Sequence, residues 1–395
     1  MTLKNCRLVP ELSDNVDFSL ADITLSDGKI AAVRPASGTS AGEGDIDCGG
    51  RTVIPGLVDL HVHVVPEPGR DSVDSAFRLY HQCAPTLGVF LDYGVTTVRD
   101  CGSTMRLACY LRDGVDRGLF EGPRILSSGH IISPEAMRGA EGGIHTIANG
   151  PDEVMKAARR EFANGADFIK IYATQSMSQV RGQDPRCIFD PEEIAAMVAV
   201  AKGHNSYVAA HAHSTDAINA CLRQGVRSIE HATYMDEESV RLLTTLPDAY
   251  AVLTHACSEP YHGEDGYNDP QELAFWTQPS MLESKKRCRA QENRAYQAGV
   301  RFGVGTDLHP GNFAKYPYEF RIRKEACGMA DLDILIQATR LSAEIALLGD
   351  VIGQVREGFA ADLVAVDGVP DTDITTLCQK PFLVVKAGKC VRNRA

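Results

Sequence analysis

Leu57-Val58-Asp59-Leu60-His61-Val62-His63 is a short apolar run that ends in two histidines one residue apart. Side chains along a strand alternate between faces, so a strand here turns His61 and His63 to the same side. Two imidazoles at one strand end can grip a single divalent ion through neutral ring nitrogens. A single buried histidine is more often a hydrogen-bonded core residue. The metal reading therefore depends on whether other strands end in the same way.

They do. Downstream of this run, apolar stretches alternate with helix-like ones, the pattern of a parallel α/β fold. Eight strands are expected, at residues 57–63, 95–100, 124–129, 167–173, 207–213, 228–233, 250–256 and 301–307. Helices are expected at 151–162, with proline first and Gly165 beyond its end, and at 191–202, followed by Gly203. Eight β/α units favour a closed (β/α)8 TIM barrel over an open doubly wound sheet. No Gly-x-Gly-x-x-Gly turn follows the first strand, so a dinucleotide site is excluded.

The chain ends read differently. Asp22-Ile23-Thr24-Leu25, the turn Ser26-Asp27-Gly28 and Lys29-Ile30-Ala31-Ala32-Val33 form a hairpin pattern, and short glycine-broken strands recur near 358–368 and 382–389. Neither end carries a sizeable core alone. The expected organisation is a discontinuous small β-sandwich domain from residues 1–55 plus 350–395, around a catalytic barrel at 56–349.

In such barrels chemistry sits at the C-terminal ends of the strands. Those ends carry His61 and His63, Lys170, His211 and His213, His231, His255 and Asp307. Asp307 offers an anionic oxygen that can bind an ion or move a proton. Lys170 lies among apolar neighbours in Asp167-Phe168-Ile169-Lys170-Ile171-Tyr172. Buried lysines lose their protons readily, and a neutral amine can add carbon dioxide to give a carbamate able to bridge two metals. The competing reading is an ion pair with Asp100 or Asp307. Strand periodicity does not choose between His211 and His213.

Bulk properties exclude several classes. A net charge of -12 argues against nucleic acid or an anionic membrane as the main partner. No run of 18 apolar residues occurs, and Met1-Thr2-Leu3-Lys4-Asn5-Cys6 lacks a signal-peptide core. Twelve cysteines form no Cys-x-x-Cys pair, which reads as free thiols in a reducing cytoplasm. The one Gly-x-Ser-x-Gly match, Gly38-Thr39-Ser40-Ala41-Gly42, is followed by no helical pattern and so does not read as a strand-to-helix nucleophile turn.

These residues resemble the amidohydrolase superfamily, in its imidazolonepropionase-like branch with metal-dependent prolidases, Xaa-Lys/Arg carboxypeptidases and ochratoxinase. The resemblance runs nearly end to end. It is carried by Val53-Ile54-Pro55-Gly56-Leu57-Val58-Asp59-Leu60-His61-Val62-His63, Gly94-Val95-Thr96-Thr97-Val98-Arg99-Asp100 and Gly165-Ala166-Asp167-Phe168-Ile169-Lys170-Ile171. Ala210-His211-Ala212-His213, Ser228-Ile229-Glu230-His231-Ala232-Thr233, Gly305-Thr306-Asp307 and Gly358-Phe359-Ala360-Ala361-Asp362-Leu363-Val364 complete it.

The resemblance implies two divalent metal ions, with zinc the leading choice. His61, His63 and Asp307 would hold the more buried ion, and His211 and His231 the more exposed one. A carbamate on Lys170 would bridge them, and His213 would face the substrate or back a ligand. Two departures stand out. A frequent Thr-Gly-Gly-His is here Glu141-Gly142-Gly143-Ile144-His145, and a frequent Ala-Thr-Gly-Gly is Ala173-Thr174-Gln175-Ser176.

The implied activity is cleavage of an amide bond by a hydroxide held between the ions. Asp307 would be general base and then general acid, His145 would polarise the carbonyl, and His255 is the next candidate for proton transfer. The expected substrate is a small-molecule amide, a dipeptide or N-acyl amino acid that releases its C-terminal residue. Tyr234, Tyr261, Arg181, Arg186 and His213 are the candidates for binding it. A cyclic amide, carbamate or urea is the alternative substrate class, and a non-catalytic scaffold the alternative of another kind. A homo-oligomer in the cytoplasm is expected.

Overall fold

The apolar strand runs sit between helices whose starts and stops are written locally. Gly150–Ala163 begins with Pro151 in its first turn. Pro191–Gly203 is capped by Asp190, whose side chain and that of Glu193 form a reciprocal capping box. The computed structural model describes residues 1–16, 18–66, 72–136, 143–177, 185–260 and 270–394.

Eight strands form the (β/α)8 barrel: β1 Leu57–Val62, β2 Val95–Asp100, β3 Arg124–Ser127, β4 Ile169–Tyr172, β5 Val208–Ala212, β6 Ser228–His231, β7 Tyr250–Leu253 and β8 Phe302–Val304. Each falls inside its expected span. From β4 to β8 all neighbours pair in parallel, with Tyr172 opposite His211 and His211 opposite Glu230. β1, β2 and β3 form a second sheet. The ring closes where Val62 bridges Leu308, the His63 N–H donates to the Leu308 carbonyl at 2.9 Å, and the Thr306 and Asp307 N–H groups donate to the His61 carbonyl.

The third strand differs from expectation. It stops at Ser127 and resumes as Ile131–Ser133, which pairs in parallel with β4 and places Ile131 opposite Lys170. A further strand, His145–Ile147, pairs with that second half. The break has a physical cause. Gly129 has φ +70, and a Cβ there would lie 2.7 Å from the Glu161 carboxylate, which binds the His130 N–H and Arg106.

By contacts the chain separates into two units. One comprises Met1–Asp59, Gly88–Thr97 and Tyr316–Ala395, the other Leu60–Leu87 and Val98–Lys315. In the first, two four-stranded sheets make the small sandwich. The chain ends pair directly, with Leu363–Val366 antiparallel to Thr52–Pro55 and Val364 opposite Ile54. Leu3, Ile23, Ile30, Val53, Leu363 and Val385 are buried in one apolar core, and removing such side chains from water is the dominant favourable term there. None of the twelve cysteines is joined in a disulfide. Among the described residues no helix is long and apolar enough to cross a membrane.

Candidate metal centre

At the end of β1, each histidine has its Nδ1 anchored and its Nε2 left for the site. His61 Nδ1 lies 2.8 Å from Glu230 Oε2, and the other Glu230 oxygen accepts from Arg99 Nη2 at 2.6 Å and from the Ser228 hydroxyl. Arg99 Nε also donates to the Leu60 carbonyl at 2.5 Å. All of these side chains are buried. A buried ion pair survives desolvation only when its remaining donors and acceptors are satisfied, as they are here. Burial alone would raise Glu230, but the Arg99 charge and the His61 hydrogen bond hold it down at about 2. Burial, then the Lys170 charge, push His61 down to about 4.

His63 Nδ1 lies 2.9 Å from the Gly102 carbonyl. Gly102 has φ +134 and sits against Ile131, where a Cβ would come within 2.5 Å, so only glycine fits. His61 Nε2 and His63 Nε2 then converge on Asp307 Oδ1, at 3.5 and 3.4 Å. Burial opposes protonation of His63, but the bond and charge of Asp307 win and raise it. Asp307 is held well below the usual carboxylate range: the charges of His61 and His63 and the His63 hydrogen bond outweigh burial. His309 stacks on His63 with ring centroids 5.0 Å apart.

The ends of β5 and β6 bring three buried histidines together. One ligand nitrogen each of His211, His213 and His231 lie within 4.8 Å of one another, and His61, His231 and Asp307 form a second such group. Tyr172 stacks on His211 at 4.2 Å. Thr233 anchors His213 Nδ1 at 2.6 Å, and Thr254 anchors His231 Nδ1 at 2.7 Å. Burial, reinforced by neighbouring rings, pushes His211 and His231 well below their ordinary value, and burial takes His213 to about 3. Neutral imidazole is the form that binds a metal. The structure brings both His211 and His213 into this cluster.

Two backbone features assemble the group. His231 and Ala232 have φ +67 and +47, and Asp307 has φ +56, a region non-glycine residues seldom occupy. At His231 the two-residue alternation ends, so adjacent Glu230 and His231 serve the same site.

Lys170 is fully buried between the two histidine groups. Its Nζ lies 3.5 Å from His61 Nε2, and among the described residues no carboxylate comes within ion-pair distance. The expected alternative, an ion pair with Asp100 or Asp307, is not formed. Asp100 is instead taken up by the N–H groups of Val64 and Gly102, and burial raises it to about 6.

The other expected residues are placed as follows. His145 opens its strand with Nδ1 2.8 Å from the Ser133 hydroxyl and its ring edge-on to Tyr172; burial, then the charges of His130 and His63, lower it to about 4. His255 is buried with Nε2 3.4 Å from Glu292 Oε2. It faces a cavity of about 230 Å³ walled also by His211, His213, His231 and Asp307. Tyr234 bonds the Ser284 hydroxyl at 2.7 Å beneath the Arg287 guanidinium, and is not part of that wall. Arg186 is exposed and also lies off it. Arg181 and Tyr261 fall outside the described residues.

Sequence reasoning missed Arg99 and Glu230. Their signal was present, since opposite charges inside two buried strands must pair. It also missed the far wall of the cavity, Trp276, Met281, Lys285 and Arg289, which no spacing ties to the histidines.

A barrel with histidines and an aspartate gathered at the C-terminal ends of β1, β5, β6 and β8, and a lysine inside β4, defines a metal-binding hydrolase. The chain belongs to the amidohydrolase family, whose pattern matches residues 52–391. It is 28% identical over 379 residues to the ochratoxinase of Aspergillus niger, covering 86% of this chain and 76% of that protein. Among solved structures it is similar to a prolidase complexed with N-methylphosphonate-L-proline (29% identity, TM-score 0.85, 100% of this chain and 99% of the other). It is also similar to a Xaa-Pro dipeptidase with bound methionine (28% identity, TM-score 0.84, 99% of both chains).

Proposed function

We propose that this protein is a binuclear metal-dependent amidohydrolase that releases the C-terminal residue of a dipeptide or N-acyl amino acid. The observation that carries the reading is the convergence of His61, His63 and Asp307 beside His211 and His231, with Lys170 buried between them and, among the described residues, no carboxylate within ion-pair distance of it. The donor set fits two divalent ions. His61, His63 and Asp307 would hold one, His211 and His231 the other, and Lys170, as its carbamate, both. When bound, such ions polarise a carbonyl and let water ionise near neutral pH.

The rest falls to the chain's own groups. Asp307 Oδ takes a proton from the attacking water and returns it to the leaving nitrogen. His145, neutral at working pH, contributes a hydrogen bond to the carbonyl oxygen rather than a charge. Glu230, which can only accept, keeps the His61 proton on Nδ1 and leaves Nε2 free to bind, while Thr254 orients the His231 ring. The resemblance to a prolidase and a Xaa-Pro dipeptidase over the whole chain supports the substrate class.

The test is incubation of zinc-loaded protein with a library of dipeptides and N-acyl amino acids, reading out free amino acids beside elemental analysis. About two metal equivalents per chain are expected to accompany turnover. Full activity at one equivalent sinks the binuclear centre, and a silent library sinks the substrate class.

A further inference from the structure

The cavity has a second wall with chemistry of its own. The helix Pro279–Gln297 turns Met281, Ser284, Lys285, Cys288 and Glu292 toward it, the three- and four-residue spacing of one helical face. Arg289 joins them. Lys285 donates to the Ser258 carbonyl, lies 3.3 Å from Glu259 and stands over the Trp276 indole. Arg289 binds the same Glu259 oxygen at 2.5 Å. One carboxylate is thus shared by two cations, and among the described residues it is the only acceptor of the Arg289 guanidinium, which has five donors. Glu292, on the same wall, is turned to His255 and to the Cys288 thiol.

Two observations give this pair a purpose. Lys285 and Arg289 line the cavity that holds the histidines, whereas Glu259 does not. The pair already holds a carboxylate, so its geometry suits one, and a guanidinium fork recognises that planar group well. Trp276, Met281 and Met177 line the same cavity and give an apolar side chain a surface to pack on.

We propose that Lys285 and Arg289 form the subsite for the free carboxylate of the leaving amino acid, with Glu259 as the internal anion that holds the pair ready. This rests on the amide-hydrolase reading above and moves carboxylate recognition from the expected Arg181, Arg186, Tyr234 and Tyr261 to the helix Pro279–Gln297. Glu259 orients both cations and also competes with the ligand, so its charge lowers affinity while its geometry supports specificity.

The probes are N-acetyl-L-phenylalanine and its carboxamide, titrated calorimetrically into the zinc-loaded protein. The acid is expected to bind about ten- to a hundredfold more tightly than the amide, the span of a charge-assisted hydrogen bond. In Lys285→Met/Arg289→Met that preference disappears while amide affinity stays, which certifies an intact cavity. Glu259→Gln, freeing both cations, tightens the acid about threefold or more, a gain that misfolding cannot produce. Equal or absent binding of acid and amide overturns the subsite, as does a preference that survives the double variant or acid binding weakened by Glu259→Gln. The titration needs no turnover. Turnover without acid preference sinks the subsite alone; acid preference without turnover sinks the hydrolysis reading alone.

Discussion

The two His-x-His pairs of this barrel, His61/His63 on β1 and His211/His213 on β5, have the same spacing and opposite surroundings. The β1 pair meets Asp307, and His61 is backed by Glu230, itself locked to Arg99. The β5 pair, with His231, is held by two threonine hydroxyls, a tyrosine ring and the Gln175 carbonyl. One end of the mouth is anionic, the other neutral. A divalent ion gains more from the anionic end, since a carboxylate ligand or a carboxylate behind an imidazole raises ligand basicity. Identical motifs therefore predict unequal sites, and Lys170 stands where they meet.

The largest expected effect tests the anionic end directly. Asp307→Asn keeps one oxygen donor but loses charge and basicity. Turnover should fall about 10² to 10⁴-fold, as for loss of a general base and acid. The loss should appear in kcat with KM little changed, because the interaction matters at the transition state. Activity within a few-fold of the parent would move proton transfer to His213, His255 or His145, with His255 first because it follows β7, the strand paired with the β8 strand that leads to Asp307.

Next comes the residue between the two ends. Lys170→Ala should lose metal, measured by elemental analysis, and activity with it. The neutral end should lose more, because it has no carboxylate of its own. Short carboxylic acids should restore part of both by replacing the bridge. Lys170→Arg should not respond, since a guanidinium occupies the space and does not lose its proton. Full occupancy in Lys170→Ala would show that the bridge is not needed.

The smallest effects compare the groups behind the ligands. Glu230→Gln removes the carboxylate behind His61 and leaves Arg99 buried without its charge partner. Breaking such a pair costs on the order of 3–5 kcal/mol of stability, and metal affinity should drop about 10- to 100-fold. Thr254→Val removes one neutral hydrogen bond from His231, worth about 0.5–1.5 kcal/mol. Chemical denaturation and metal titration of both variants read the difference. Equal losses would erase the asymmetry between the two ends.

Much of the fold and the site is legible in the sequence. Strand alternation puts His61 and His63 on one face, eight apolar runs between helical stretches imply a barrel, and strand ends point to Lys170 and Asp307. These are local regularities, set by the pleat and the helical repeat, and sequence carries them whole. The exact ends of strands are less legible. The third strand breaks at Gly129 because the Glu161 carboxylate, 32 residues away in sequence, occupies the space a side chain would need.

The ligand-type residues and the sheet that carries them can be read from the order of amino acids alone. How those residues are used is set by the folded barrel. The positive φ of His231 and Asp307 overrides the alternation that strand patterning assumes, bringing Glu230 and His231 to one site. The Arg99–Glu230–His61 chain joins three strands, and the cavity wall of Lys285 and Arg289 comes from a helix far from the histidines in sequence. The physical reason is common to all three. Periodicity records which face a residue takes on its own element, whereas a hydrogen-bond partner across the barrel is set by how closed strands meet, and neighbouring residues do not encode that.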